Sequence, residues 1–332
     1  MKKLHTAVVG FGYWGPHMAR NISQLNGYEL SAVIDQSAER RLAASELYGN
    51  DIVFPSFDDA LCKVKLDAVV VATPVDTHFS LARKAMESGL HVIVEKPLTS
   101  SSSDARSLTK LSNEKGLVLL VDHTFLFTPA VLEMKSMFAS GELGNLVYFD
   151  STRINLGLFR PEVNVLWDLA VHDLAILLFT TGFFPKSVSA NVGFHENSQH
   201  PAASFITLHF EELFFGHINV SWLSPMKIRR TILSGSKKTV LFDDMVSDEK
   251  IKIFDSEIGF NDASLLEYRL GGVQIPKLPN LEAIKTELEH FWNCVVNNHE
   301  NLSSGSFAEK VILCLEAADE SIRNDGRSIK LS

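Results

Sequence analysis

The chain opens on Leu4-His5-Thr6-Ala7-Val8-Val9-Gly10-Phe11-Gly12-Tyr13-Trp14-Gly15-Pro16, an apolar run that breaks into three glycines and continues as a helical pattern. This order reads as strand, tight turn and helix. Gly10 permits the turn, Gly12 lets a pyrophosphate approach the backbone, and Gly15 lets helix and strand pack closely, while the N–H groups of the new helix face the phosphates. A second strand, Tyr28 to Ile34, ends in Asp35, twenty positions after Gly15, where a carboxylate can accept hydrogen bonds from an adenosine ribose. The spacing predicts a dinucleotide site. Asp35 would repel a 2′-phosphate, and Gln36 and Ser37 offer no cation before Arg40 and Arg41, so NAD is expected over NADP. The competing use of Asp35 is as a cap for the helix that begins near Ser37.

A chain of 332 residues is longer than one core usually supports. Two domains are expected: a dinucleotide-binding domain over 1–122 and a substrate-binding and oligomerisation domain over 123–332, with the closing helix, about 307–322, able to pack back on the first. The net charge of −9 argues against nucleic acid or an anionic membrane surface as partner. Cys62, Cys294 and Cys314 are scattered, which suggests neither a disulfide framework nor a structural zinc site. No signal-like segment follows Met1-Lys2-Lys3 and no apolar run approaches a membrane span, so a cytoplasmic protein is expected.

Strand and helix patterns then alternate. A helix from Ala38 to Leu47, a short strand at Ile52 to Phe54 and a helix from Phe57 to Val64 precede the run Asp67 to Ala72, which is apolar throughout, as a strand covered on both faces should be. A helix capped by Asp76 or Thr77 runs to Ser88, His91 to Val94 forms a fifth strand, and after another helix Leu117 to Val121 forms a sixth. Six strands separated by helices make a doubly wound parallel sheet whose ligand lies outside the carboxyl ends of the strands. Gly10, Thr73, Pro74, Glu95, Lys96 and His123 fall at those ends, and with Phe11, Gly12, Tyr13, Trp14, Gly15, Asp35 and His78 they form the expected cofactor-binding set.

Beyond Asp122 a helix from Pro129 to Ala139 and a strand from Leu146 to Ile154 lead to a helix from Leu166 to Phe179, closed by Gly182. Strand patterns follow at 187–192, 204–210, 214–222, 228–233 and 239–242, whereas 255–280 shows no regular pattern. Two helices, about 281–296 and 307–322, close the chain. The second half is therefore expected to be α+β, with an antiparallel or mixed sheet.

Lys96 stands at the sheet's carboxyl edge between Glu95, which can hold an ammonium, and Pro97, which fixes the backbone. It would point at the nicotinamide end, although a surface Glu-Lys-Pro turn has the same sequence. Asp168 and His172 are four apart on one apolar helix and so share a face. On the cofactor side His172 could take a hydroxyl proton, with Asp168 orienting it or holding substrate; away from it they would be a hydrogen-bonded core pair. Asp173 lies on another face and reads as structural. The histidines show no metal-ligand spacing and no Gly-x-Ser-x-Gly elbow occurs, so neither metal nor nucleophilic catalysis is expected. Arg153, Asn155, Arg160 and Asn164 in one stretch, and Lys227 and Arg229 beside Trp222 in another, put cations and amides near aromatics, a mixture that suits a sugar or sugar phosphate and is also common on exposed sheets.

Gly10 to Gly15, Glu95-Lys96-Pro97 and Trp167-Asp168-Leu169-Ala170-Val171-His172-Asp173, with Leu315 to Ser321 in the closing helix, resemble the glucose–fructose oxidoreductase/inositol dehydrogenase (Gfo/Idh/MocA) family over nearly the whole chain. That resemblance implies a Rossmann domain followed by an open, largely antiparallel sheet that often forms dimers or tetramers. It implies Lys96 as catalytic lysine, and Asp168 and His172 at the reacting hydroxyl, with His172 as general base and Trp167 among the substrate contacts. Asp122 to Phe125, Val165 to Asp168 and Ser221 to Pro225 look most like members that act on nucleotide-activated sugars, although His123-Thr124-Phe125 replaces the Asn-x-Arg segment that many members carry. The expected activity is hydride transfer between NAD and a ring carbon, C3, of a nucleotide sugar. The rivals are an inositol or free-sugar dehydrogenase, a glycosidase that oxidises its sugar transiently, and a non-catalytic NAD-binding protein.

Overall fold

The computed structural model describes residues 2–157, 164–195, 201–211, 214–260 and 266–331. The chain divides into two compact units, Met1–Phe127 with Leu281–Ile312, and Thr128–Asn280 with Leu313–Ser332. In the first, strands β1 (Leu4–Val9), β2 (Tyr28–Ile34), β3 (Val53–Phe54), β4 (Ala68–Val71), β5 (His91–Glu95) and β6 (Leu119–Asp122) pair in parallel in the order β3-β2-β1-β4-β5-β6. All four residues of β4 are buried, as its unbroken apolar run requires of a strand covered on both faces. The crossovers carry α1 (Gly15–Gln24), α2 (Ala38–Tyr48), α3 (Phe57–Lys63), α4 (Val75–Glu87) and α5 (Ser102–Lys115). Ser37, Ser56 and Ser101 cap α2, α3 and α5 by accepting backbone N–H groups, and Gly116 ends α5 in the left-handed region. The helix expected to start from a cap at Asp76 or Thr77 starts instead directly after Pro74, whose carbonyl accepts the Thr77 hydroxyl at 2.7 Å.

The second unit begins with α6 (Pro129–Ala139), capped by Thr128, and β7 (Leu146–Leu156). The segment expected as one α-helix is a π-helical turn, Leu166–Ala170, followed by α7 (Val171–Thr181), which Gly182 ends in the left-handed region. Strands β8 (Ser187–Phe194), β9 (Pro201–His209), β10 (Phe215–Ser221), β11 (Leu223–Gly235), β12 (Thr239–Asp243), β13 (Ile251–Phe260) and β14 (Leu266–Gln274) follow. The last two form a hairpin in the stretch that shows no regular sequence pattern. β14 is an edge strand and residues 271–274 are exposed, so no alternation of buried apolar residues marks it. In β9, Ala202, Ser204, Ile206 and Leu208 are buried while Phe205 is exposed, which shows a sheet covered on one face only.

Helices α8 (Ala283–Asn297) and α9 (Gly305–Arg323) and strand β15 (Ile329–Lys330) complete the chain. The full second sheet runs β14-β13-β12-β11-β7-β10-β9-β8-β15, antiparallel at every junction except β10 with β7. Beside the expected boundary at 122/123 and the expected return of the closing helix, the compact units place both α8 and the start of α9 with the first unit. The reason is a set of long-range contacts that no local pattern encodes. The Tyr28 hydroxyl donates to the Leu288 carbonyl, and Trp292 donates its indole N–H to the Lys2 carbonyl at 2.9 Å. Ser303 exchanges backbone and hydroxyl bonds with Val121, and Asn301 donates to the Leu119 carbonyl, so the 301–304 segment covers the open edge of β6.

Phe291 on α8 is fully buried. Its replacement by Ala should destabilise the first unit by about 3–5 kcal/mol, read as an earlier urea midpoint, because the returning helix is part of that unit's core.

Candidate functional site

In the first unit the glycine turn is set by lack of space. Gly10 has a φ of +94°, and a Cβ there would lie 2.6 Å from the Ala72 carbonyl oxygen and 2.9 Å from Thr73 Cγ2. A Cβ on Gly15 would overlap the Gly10 carbonyl oxygen. α1 starts with no side-chain cap and no acidic residue in its first turn, which leaves its first N–H groups and its positive end suited to a pyrophosphate. Asp35, nearly buried, accepts the Phe11 N–H at 2.7 Å and the Ser37 N–H at 2.8 Å, and its oxygens keep lone pairs for ribose hydroxyls. Arg40 lies 3.6 Å from the Asp35 carboxylate, while Arg41 donates to the carbonyls of Asp35 and Gln36. These residues fit a dinucleotide. Phe11 fits through its backbone only, because its ring is buried edge-on to Tyr48; Tyr13 is exposed and contacts Trp14 edge-on.

The ends of β4, β5 and β6 carry the ionisable groups. His78 departs from the expectation of a cofactor contact: it is buried, and its ring nitrogens lie 2.8 Å from the Thr73 carbonyl and 3.0 Å from the Pro97 carbonyl. It ties the Thr73–Pro74 loop to the turn that presents Lys96. Burial holds its pKa below the ordinary value, opposed by those carbonyl bonds. Thr73 pairs its hydroxyl with Thr77 at 2.7 Å. Lys96 is half-buried and joined to Pro97 by a cis peptide bond, and its charge acts on Asp122 and His123 at the end of β6. Both ring nitrogens of His123 are buried without a protein partner, and its ring packs edge-on against Phe307. Burial, reinforced by Lys96, holds His123 down to about 3, so the imidazole is neutral at physiological pH.

In the second unit Asp168 lies within the π-helical turn and His172 in the first turn of α7, both half-buried. An inserted residue of this kind re-aims side chains and is frequent at functional sites. Trp222, fully buried, donates its indole N–H to Asp168 Oδ2 at 3.2 Å, and a Cβ on Gly157 would overlap the Trp222 ring. Two residues expected to touch substrate, Asn164 and Trp167, hold this turn. Asn164 Oδ1 accepts the N–H groups of Leu166 and Trp167, and its amide donates to Asp319 on α9. Trp167 donates to the other oxygen of Asp319 at 2.6 Å.

Arg153, also expected to touch substrate, has its guanidinium engaged inside the second unit. It is buried, and its guanidinium donates to both oxygens of Asp173 at 2.9 and 3.2 Å, with Ser151 completing that carboxylate. The alternation of β7 puts Asn155 on the same face. Arg229 is paired with Asp244 at 3.3 Å, Lys227 is exposed, and Arg160 lies outside the described residues. Trp222 and Asp319 were not singled out from sequence as positioning residues; the readable signal for Asp319 is a carboxylate beside the small residues Ala317 and Ala318 of a closing helix.

Residues 4–123 match the family model described as an oxidoreductase family with an NAD-binding Rossmann fold, and residues 131–241 match the GFO/IDH/MocA C-terminal domain. The UDP-N-acetylglucosamine 3-dehydrogenase of Acidithiobacillus ferrooxidans is 26% identical, covering 94% of this chain and 95% of its own. A crystal form of that enzyme superposes with a TM-score of 0.82 at 23% identity over 98% of this chain and 100% of its own. GenD2 from gentamicin A biosynthesis, solved in complex with NAD, gives 0.84 at 22% identity over 100% and 97%. Among the described residues no helix is long and apolar enough to cross a membrane.

Arg153→Met should cost about 3–5 kcal/mol, because Asp173 is left buried without its cation, and the double variant Arg153→Met/Asp173→Leu should recover most of that loss in urea unfolding. His123 has a folded value of about 3 against an ordinary value of about 6.5, so the stability it contributes is complete above about pH 6.5 and is lost as pH falls toward about 3, by about 1.4 kcal/mol per pH unit. His123→Phe should remove that slope, measured as the difference in unfolding free energy from wild type across the acid range.

Proposed function

Since the chain belongs to the GFO/IDH/MocA oxidoreductase family, we propose that it is an NAD-dependent dehydrogenase or ketoreductase acting at a ring CH–OH of a sugar, with C3 of a nucleotide-activated sugar as the favoured position. The observation that carries this reading is the half-buried Lys96 at the carboxyl end of β5, in the unit whose glycine turn and Asp35 fit the dinucleotide. The nucleotide-sugar assignment draws on the activity for which the Acidithiobacillus ferrooxidans relative is named.

Gly10, Gly12, Gly15 and Asp35 would hold the dinucleotide, with Thr73 and Pro74 at the neighbouring strand end. When bound, that group supplies the two-electron acceptor for the alcohol and the donor for the ketone. The Lys96 ammonium polarises the reacting oxygen. His172 accepts the hydroxyl proton on a ring nitrogen in the oxidative direction and returns it in the reductive one. Asp168 holds the sugar, and the Trp222 indole N–H fixes which way its carboxylate faces. Neutral His123 adds no second cation beside Lys96, which suits a site that must also take the positive ring of an oxidised nicotinamide. The carboxylate of Asp35, nearly buried and met by two backbone N–H groups, favours a free 2′-hydroxyl over a 2′-phosphate.

The test is incubation with NAD or NADP and a panel of free, UDP-linked and dTDP-linked sugars, read as absorbance of the reduced nicotinamide. Turnover with a nucleotide sugar and NAD is expected. Lys96→Ala and His172→Ala should each lower kcat by about 10²–10⁴-fold with dinucleotide affinity largely retained. Full turnover by either variant refutes the role given to that residue.

A further inference from the structure

Helix α8 turns three apolar residues, Ile284, Leu288 and Phe291, into the core of the first unit, and on the same buried face stands Glu287, with no exposed surface at all. Neither of its carboxyl oxygens meets a protein donor. What it meets is another acid. Asp122, also fully buried at the end of β6, acts on Glu287 electrostatically; Asp122 Oδ1 accepts the Thr124 hydroxyl, and Oδ2, like both Glu287 oxygens, meets no donor. Two carboxylates carry only acceptors, so a bond between them requires a proton on one.

The pair does not stand alone. Asp122 is the register partner of Glu95 on β5, Glu95 acts electrostatically on Glu287, and Lys96 acts on Asp122. Among the described residues Tyr28 on β2 also acts on Glu287, and His123 directly follows Asp122 just beyond the end of β6. Two ionised carboxylates at Asp122 and Glu287 against the one Lys96 ammonium would leave a buried charge in excess, an expensive arrangement. One retained proton removes that excess.

We propose that Glu287 is a positioning residue for Lys96: it keeps its proton at physiological pH and donates it to Oδ2 of Asp122, so that Asp122 stands as an oriented carboxylate toward the ammonium. The role for Lys96 rests on the function proposed above; the proton on Glu287 does not. Burial and the neighbouring carboxyls push Glu287 well above the usual carboxylate range; burial raises Asp122 too, but there Glu287, the Thr124 hydroxyl and the charge of Lys96 oppose it. Glu287 therefore carries a proton in the folded chain that the unfolded chain releases. The stability it contributes is complete below the ordinary carboxyl value of about 4.3 and is lost as pH rises through the folded value.

The experiment compares wild type with Glu287→Gln, whose amide donates in place of the hydroxyl, and with Glu287→Ala, which donates nothing. In urea unfolding of the full chain over about pH 6.5 to 8.5, above the range in which His123 contributes, wild type should lose stability with rising pH relative to Glu287→Gln. In turnover, Glu287→Gln should keep kcat within about twofold, whereas Glu287→Ala should lower it by about tenfold or more with KM little changed, and should move the alkaline limb of the kcat profile to lower pH. Parallel stability profiles for wild type and Glu287→Gln would overturn the retained proton. Equal losses of kcat in Glu287→Gln and Glu287→Ala would overturn the donor role. If wild type turns over no sugar while the stability profiles diverge, the proposed function falls and the protonated pair stands.

Discussion

The first unit depends on one crowded crossing, where the backbone leaving β1 passes under the start of α1 and beside the end of β4. Gly10 lies against the Ala72 carbonyl on one side, and its own carbonyl lies against Gly15 on the other. No side chain fits at either glycine, and the first needs a positive φ besides. The same turn sends the Phe11 N–H to Asp35, so the ends of β1, β2 and β4 are fixed by contacts a few residues apart. The phosphate-facing helix end and the ribose-facing carboxylate are thus held in one frame, as a ligand spanning both requires.

A different device sets the second unit. Trp222 closes the irregular register between β7 and β11, where pairing jumps from Leu223 with Leu156 to Ile228 with Ile154. Its ring occupies the space that a side chain at 157 would fill, and its N–H reaches Asp168 in the π-helical turn. An indole brings a large apolar surface and a single donor, so burial and orientation come from one residue. Asn164 and Trp167 brace the other side of the turn through Asp319. Asp168 is therefore held from two directions within its own unit.

These differences explain what could be read in advance. The parallel sheet was legible because its signals are local: apolar runs bounded by glycines, serine caps and carboxylates at strand ends. The second sheet was legible as a series of strands, but its edge hairpin was not, since an exposed edge strand lacks the alternation that burial imposes. Arg153 read as a phosphate-binding arginine because its partner, Asp173, is twenty residues away and joins it only through the packing of α7 on β7. His78 is counted in the expected cofactor-binding set, and its imidazole is used on two carbonyls that link loops. Glu287 was the reverse case. Its position among Ile284, Leu288 and Phe291 marks a charged residue at a core site of an amphipathic helix, a conflict visible in sequence whose resolution lies 165 positions earlier at Asp122.

The two carboxylate-bearing ends of the first sheet make the physical contrast plain. At the end of β2, Asp35 meets two backbone N–H groups and an arginine, so its charge is matched by donors already in place. At the end of β6, Asp122 meets one hydroxyl and a second acid. A sequence selected for stability alone would replace Glu287 by an apolar residue of similar volume, since Leu288 and Phe291 beside it show that the position favours one. At such a place an acid differs from a leucine in that it gives a donor when protonated and adds no charge. Next to a lysine that must stay charged in a half-buried setting, one oriented carboxylate is useful and a second would be costly. A carboxyl that holds its proton satisfies both conditions.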